Sequence, residues 1–309
     1  MNDILFLEPI FKQRIWGGNA LQTEFGYTIP DPKTGECWAI SAHPNGDCRI
    51  INGKFKDRTL SDVYAKERKL FNYHNSKKFP LMTKILDAND DLSVQVHPND
   101  QYAKRFADDL GKTECWYVLD AKQDAYIIYG HRANSKTEFM EMIKKNQWDD
   151  LLIKKHVKKG DFIYVPSGTI HALGKGLLIL ETQQSSDTTY RLYDYDRKDE
   201  QGNQRELHLK ESIEVSTIPH LDVKPRIKYF DLGDTSITRF VHNDFFTVEK
   251  WDINSNFNRE NDRFRLMSII DGYGQVNGNP VQKGDHFIVT ANVNHIQLIG
   301  KMSIITSYV

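Results

Sequence analysis

The 309 residues are 39% hydrophobic and 27% charged, enough apolar material for one large β domain or two medium ones and too much chain for a single small one. The 41 Lys and Arg nearly cancel the 42 Asp and Glu, so no whole-molecule field draws nucleic acid or an anionic membrane, and a phosphorylated ligand needs a few placed cations instead. Three cysteines without a CxxC spacing exclude a disulfide framework and a thiolate zinc site, and they fit a reducing compartment.

The opening residues, MNDILFLEPIF, carry Asp3 and Glu8 and have no basic region ahead of a long apolar run. No signal peptide is expected there, and no stretch approaches the ~18 apolar residues of a membrane span; the expectation is a cytoplasmic protein. Residues 59–71 read as a short helix. Leu92-Ser-Val-Gln-Val-His-Pro98 reads as a strand in which Gln95 and His97, two apart, leave the same face. Residues 99–110 read as a helix, with Asn99 as cap, Tyr102, Phe106 and Leu110 as its apolar side and Gly111 just past its end. A longer helix is expected over residues 135–153, with Phe139, Met142, Ile143 and Leu151 on roughly one face. TECWYVLD, DAYIIYG, GDFIYVP, LLILETQ and TYRLYDY are β-branched and aromatic runs separated by turn residues. Residues 209–216 read as a last short helix. After Pro219 and Pro225 the strand pattern resumes with SITRF, FTVEKWDI, FRLMSII, HFIVT, HIQLI and MSIITSYV. Many short strands at regular spacing indicate a mainly β chain built as a barrel or sandwich.

One stretch occurs twice. Lys159-Gly-Asp-Phe-Ile-Tyr-Val-Pro-Ser-Gly-Thr-Ile-His171 lies against Lys283-Gly-Asp-His-Phe-Ile-Val-Thr-Ala-Asn-Val-Asn-His295 without a gap, with Lys, Gly, Asp, Val and His in register. The flanking strand runs match in type, which points to duplication of one β unit. In each copy the Gly-Asp pair makes a tight turn feeding a strand.

Three segments carry the candidate chemistry: Gln95 with His97, Glu114 at the start of TECWYVLD, and His171 after Pro166-Ser-Gly-Thr-Ile. Two imidazoles, a carboxylate and an amide oxygen suit zinc or another borderline divalent metal. Taken singly, each has an ordinary reading as a core or surface residue; the same-face spacing and the repeat argue for the set.

The segments G-K-T-E-C-W-Y-V-L-D and P-S-G-T-I-H-A look like the two metal motifs of cupins, and together with S-V-Q-V-H-P they resemble the type I mannose-6-phosphate isomerases in their short bacterial form. The likeness extends to Trp16-Gly17-Gly18, to Lys84 in M-T-K-I-L-D-A and to T-T-Y-R-L-Y-D-Y-D-R. It implies two cupin-type (jelly-roll) β-barrels with a few short helices inserted in the N-terminal part: a catalytic metal-binding domain over residues 1–220 and a C-terminal barrel without metal over 221–309. It also implies one divalent metal, most naturally Zn2+, on Gln95, His97, Glu114 and His171, with Arg191 catalytic. Arg265 lies about where Glu114 would align in the second copy, and a cation there repels a divalent ion; His295 then reads as a packing or hydrogen-bonding residue.

The implied reaction moves a proton between C1 and C2 of a phosphorylated hexose through an enediol, converting aldose to ketose. Arg191 is expected to stabilise enediolate charge or grip phosphate, since a guanidinium is no base at neutral pH; an ion pair with Asp194 or Asp196 is its structural alternative. Glu181 or Lys84 is expected to shuttle the proton and Lys112 to bind substrate, while Trp16 reads equally as a lid or edge of the sugar site or an anchor of the N-terminus. No nucleic-acid or membrane partner is expected, and the chain is expected to be a monomer or homodimer. Two rivals remain at this stage: a non-haem oxygenase on the same ligands, and a non-catalytic sugar-phosphate binding module.

Overall fold

The computed structural model describes residues 4–198 and 201–309; Asp3 lies outside them. The architecture is β-strand throughout, in three large sheets and one small ribbon, with six short α-helices among the described residues. A six-stranded antiparallel sheet runs, in spatial order, Phe162–Val165, Glu114–Ala121, Leu177–Gln184, Leu81–Ala88, Thr34–Ile40 and Ile10–Gly18. A five-stranded sheet runs Leu152–His156, Tyr126–His131, His171–Leu173, Val94–Val96 and Tyr190–Tyr193.

Alternation along the strands decides what the six-stranded sheet does with its two faces. Cys115, Leu119, Leu178, Leu180, Cys37 and Ile85 pack against the C-terminal sheet through Phe240, Val248, Leu266, Ile288 and Ile305. Trp116, Val118, Leu177, Ile179 and Leu86 point the other way and meet Ile127, Tyr129 and Leu173 of the five-stranded sheet. Lys84, Glu114 and Glu181 sit at positions of this second parity, so they project between the two N-terminal sheets, toward the end where the apolar filling stops. Truncating one of the large rings here, Trp116 for instance, should cost about 3–5 kcal/mol.

The helices cover the outside. Phe139 and Ile143 seal the outer face of the five-stranded sheet with Val94, Val96, Ile128 and Leu192. The single helix expected over 135–153 is interrupted: it runs Lys136–Lys144, capped by Ser135 accepting from the Glu138 amide. Asn146 then turns left-handed at φ 54°, a short helix follows at Trp148–Leu151, and Leu152 already opens a strand. The β-branched and basic run Leu-Ile-Lys-Lys-His pairs with Tyr126–His131, so sheet pairing overrides the helical spacing. Residues 59–71 similarly divide into an α-helix at Leu60–Lys66 and a 3-10 turn at Arg68–Phe71. The helix beyond Asn99 forms as expected, its cap accepting from the Tyr102 amide, but stops at Phe106.

The repeat seen in the sequence recurs in the strand order. The C-terminal sheet follows the path His286–Val289, Arg265–Val276, His295–Tyr308, Thr247–Ile253, Thr235–His242, Lys228–Asp231, position for position the path of the six-stranded sheet. Register agrees too: Val165 faces Glu114 and Val289 faces Arg265. Both turn glycines, Gly160 at φ 90° and Gly284 at φ 96°, occupy the left-handed region where a side chain is strained. The C-terminal sheet also takes in the strand Ile4–Glu8, which pairs with His286–Val289 on one side and with Arg49–Ile50 on the other. HIQLI and MSIITSYV form one continuous strand, His295–Tyr308, with Gly300 inside it.

A candidate metal centre in a charged cleft

His97, Glu114 and His171 are all buried, and their ligating atoms lie within 4.8 Å of one another. Glu114 opens its strand beside Val165, His171 opens its own opposite Gln95, and His97 follows the Val94–Val96 strand. Glu114 Oε2 is 3.4 Å from His97 Nε2, and Oε1 is 3.4 Å from His171 Nε2. The far nitrogen of each imidazole is already engaged: His97 Nδ1 donates to the Thr188 carbonyl at 3.0 Å and His171 Nδ1 to the Thr169 carbonyl at 2.9 Å. These bonds fix the tautomer and leave both Nε2 lone pairs converging on the carboxylate, the arrangement in which histidines hold metals. Burial above all pushes both rings toward neutrality, His171 down to about 4 and His97 well below its usual value.

Gln95 reaches the same point, its amide 3.4 Å from His171 Nε2; a half-turn of that amide presents oxygen in place of nitrogen. Glu114 Oε2 is buried and makes no hydrogen bond of its own among the described residues, although the Lys112 ammonium is 3.0 Å from it. An under-coordinated buried carboxylate, two lone pairs and an amide are a donor set that fits a divalent ion.

Next to these residues, reached through Gln95 and Lys112 in its lining, opens a cleft of about 490 Å³. Lys84 stands in its wall between Glu181 at 3.8 Å and Glu36 at 3.9 Å, its ammonium 4.7 Å from the Trp38 ring centre. Trp116 Nε1 bridges the two acids of the floor, 3.0 Å from Glu114 and 3.2 Å from Glu181. Burial and the neighbouring Glu114 raise the pKa of Glu181, making it readier than an ordinary carboxylate to hold a proton. Burial also works against the charge of Lys112, but Glu114 and Glu181 outweigh it and push its pKa up. Lys112, expected to bind substrate, lines the cleft but is almost fully buried, its Nζ 3.0 Å from His97 Nε2.

Arg191 faces Gln95 across the sheet and lines the cleft. Its Nε donates to Ser93 Oγ at 3.3 Å and its Nη1 to the Glu206 carbonyl at 2.7 Å. The ion pair with Asp194 does not form, because Asp194 is taken by Arg197 and Arg205; Arg191 has no salt bridge among the described residues. Trp16 is 5% exposed, packs with Leu86, Leu92 and Trp116, and lines the cleft.

Several cleft residues went unseen in the sequence. Arg14 and Glu36 are bonded at 2.6 Å, Glu36 also accepts from Trp38 Nε1 at 2.6 Å, and Arg205 reaches in from an irregular segment. Burial opposes the Glu36 charge, yet Lys84 and Arg14 hold its pKa down to about 2. Asp109 is a hidden support: its carboxylate accepts from Ser186 at 2.8 Å and from Thr188 Oγ1 at 3.0 Å, steadying the loop whose carbonyl orients His97.

The family model for the catalytic domain of type I phosphomannose isomerase matches residues 4–143, and that for the mannose-6-phosphate isomerase cupin domain matches residues 236–309. A mannose-6-phosphate isomerase of Bacillus subtilis is 49% identical to the chain, the match covering 98% of each. That of Streptococcus mutans is also 49% identical, over 100% of this chain and 99% of the relative. The crystal structure of the mannose 6-phosphate isomerase from Bacillus subtilis superposes with a TM-score of 0.97, at 46% identity, over 99% of both chains.

Proposed function

The chain belongs to the type I mannose-6-phosphate isomerase family, and from that premise we propose that it interconverts mannose 6-phosphate and fructose 6-phosphate with one divalent metal, zinc by preference. The observation that carries the reading is the buried convergence of His97 Nε2, His171 Nε2 and the Glu114 carboxylate, with Gln95 beside them, at the floor of a cleft walled by lysines and arginines.

These four residues would hold the ion, and a bound ion supplies Lewis acidity to a sugar oxygen as charge builds there. The chain supplies the rest. A base must take the C2 proton of the aldose while the carbonyl oxygen gains one, giving the enediol. Return of a proton to C1 and loss of one from the C2 hydroxyl complete the ketose. Glu181 is assigned the proton-carrying role, because burial and Glu114 raise its affinity for a proton, and Lys84, 3.8 Å away, offsets the charge when the proton leaves. Arg191 stabilises the oxyanion electrostatically; it is cationic, half-buried and has no acidic partner among the described residues. Lys112 contributes substrate-binding charge at the floor, and Trp16 one wall. The division into a catalytic unit at residues 1–220 and a metal-free unit at 221–309 is part of the same proposal, as is residence in the cytoplasm; no helix among the described residues is long and apolar enough to cross a membrane.

Proton NMR of mannose 6-phosphate incubated with the purified protein tests the reading. Fructose 6-phosphate should appear, chelation should abolish it, and added zinc should restore it. No conversion by fully metal-loaded protein overturns the assignment.

A further inference from the structure

The shared strand path of the two sheets makes a residue-by-residue comparison of their chemistry possible. Glu114 corresponds to Arg265, since each faces the repeat valine, Val165 or Val289. Glu181 faces Lys84 in one sheet, and at the matching positions Thr306 faces Glu249 in the other. Lys84 then corresponds to Glu249, and Trp38, which faces Lys84, to Arg239, which faces Glu249. At two of these positions the charge is inverted, Glu114 to Arg265 and Lys84 to Glu249, while Glu181 gives way to neutral Thr306 and Trp38 to Arg239.

The second cleft is open, about 680 Å³ in volume, and its lining includes Arg239, Arg259, Arg263, Arg265, His242 and His295. Glu249, fully buried, neutralises Arg239 at 2.8 Å and Arg259 at 3.1 Å. Arg263 pairs at 2.7 Å with Asp262, which is largely exposed. Arg265 is different. It is 4% exposed, its Nε is bonded to the neutral Asn261 amide oxygen at 2.9 Å, and it makes no salt bridge among the described residues. Its Nη1 is buried without a hydrogen-bond partner, while Tyr308 lies flat beneath the guanidinium at 4.1 Å. A buried guanidinium with an unpartnered donor, no salt bridge among the described residues and only the already shared Glu249 carboxylate acting on it is suited to take up an anion. His295, expected as a packing remnant, is exposed at the rim of this cleft, where its ring can donate.

We propose that the C-terminal cleft binds the phosphate group of a small molecule, with Arg265 at its floor and Arg263 and His295 at its rim. Guanidinium and imidazole donors that approach from floor and rim suit a tetrahedral dianion, whereas a single arginine fork would satisfy a carboxylate. Glu260 and Asp262 at the mouth bar large polyanions by repulsion and leave room for one phosphate group. Two sources share that chemistry: free inorganic phosphate, and the phosphate ester of a sugar.

Trp251 reports on the site. Its indole lies 4.8 Å from the Arg259 guanidinium and donates to Glu249, and the other tryptophans lie in the N-terminal part of the chain. The full metal-loaded protein, labelled with 15N, is titrated with inorganic phosphate and separately with sorbitol 6-phosphate while the Trp251 indole signal is followed, assigned through Trp251→Phe. Saturable shifts in wild type that vanish in Arg265→Met, with isomerisation within about twofold of wild type, are the expected result. Should Arg265→Met fail to fold, Arg263→Ala, a change at the rim, should weaken binding about tenfold. Tighter binding of the sorbitol ester assigns the site to a sugar phosphate; equal binding assigns it to free phosphate. No shift with either probe up to roughly 50 mM, or shifts that survive both substitutions, overturns the proposal.

Discussion

Replacing Arg191 with alanine separates the two jobs that a cleft arginine can do. Its guanidinium carries five N–H donors; one is used on Ser93 and one on the Glu206 carbonyl, which leaves three and the whole positive charge to the cleft. Losing the two internal bonds should cost about 1 kcal/mol each in stability, too little to unfold a chain this size. Losing a charged donor that meets a developing oxyanion should cost about 2.7–4 kcal/mol of transition-state energy, which is roughly 10²–10³-fold in kcat at 1.36 kcal/mol per decade. A coupled assay on mannose 6-phosphate should therefore show kcat falling by that factor with KM changed little. If KM rises instead while kcat holds, Arg191 grips the phosphate in ground and transition state alike. If both constants stay within a few-fold of wild type, its role in the reaction is refuted. Arg191→Lys should recover only part of the loss, because the Ser93 and Glu206 contacts need the planar fork.

Glu181→Gln should lower kcat by about 10²–10⁴-fold and abolish solvent deuterium entry at C1 and C2 during turnover in D2O; retained exchange would move the proton-carrying role to Lys84. His286 is buried between Tyr27 and Ser268, and burial lowers its pKa to about 3, so the unfolded chain binds a proton there first as pH falls below the ordinary 6.5. Its stabilisation is present above pH 6.5 and lost on the way down toward 3, at up to about 1.4 kcal/mol per pH unit. Urea midpoints at pH 7 and pH 5 should show a loss smaller by up to about 2 kcal/mol in His286→Gln; an unchanged difference would clear this residue of any part in acid sensitivity. A methyl added at Gly17 would meet the Gly35 backbone nitrogen at 2.4 Å and the Lys33 carbonyl at 2.5 Å, so Gly17→Ala should destabilise by about 1–3 kcal/mol in urea unfolding. An unaltered midpoint would mean that the strand Ile10–Gly18 can shift away from Thr34–Ile40 at little cost.

The candidate metal residues could be picked out of the sequence partly through spacing with a geometric meaning and otherwise through the cupin resemblance of their segments. Gln95 and His97 are two apart beside a strand, and His171 sits at a fixed offset from a glycine turn that recurs at Gly284. The rest of the cleft carries no such local signature. Glu36 and Trp38 lie on Thr34–Ile40, a strand buried along its whole length, whose continuous burial gives no alternation to read. Arg205 is drawn into place by Asp194, a partner on another segment, and Asp109 acts through a loop nearly eighty residues downstream. The helix expected over 135–153 misled for a related reason: Leu151 prolongs the apolar side read from Phe139, Met142 and Ile143, but the conformation of Leu152 and Ile153 is settled by the edge of Tyr126–His131. The exposure of His295 likewise depended on which way one strand turned.

The strand Ile4–Glu8 binds the beginning of the chain to its end. During synthesis these residues leave the ribosome long before His286–Val289, their partner, has been made; at about 5–20 residues per second the wait is on the order of 15–60 s. Throughout that interval Ile4 and Leu5, both deeply buried in the finished protein, are without the strand they pair with. The C-terminal sheet cannot complete itself from its own part of the nascent chain, so this pairing waits until residues 286–289 have been made. The strand Ile4–Glu8 acts as a clasp, and a polypeptide broken off before residue 286 offers it only Arg49–Ile50 to close on.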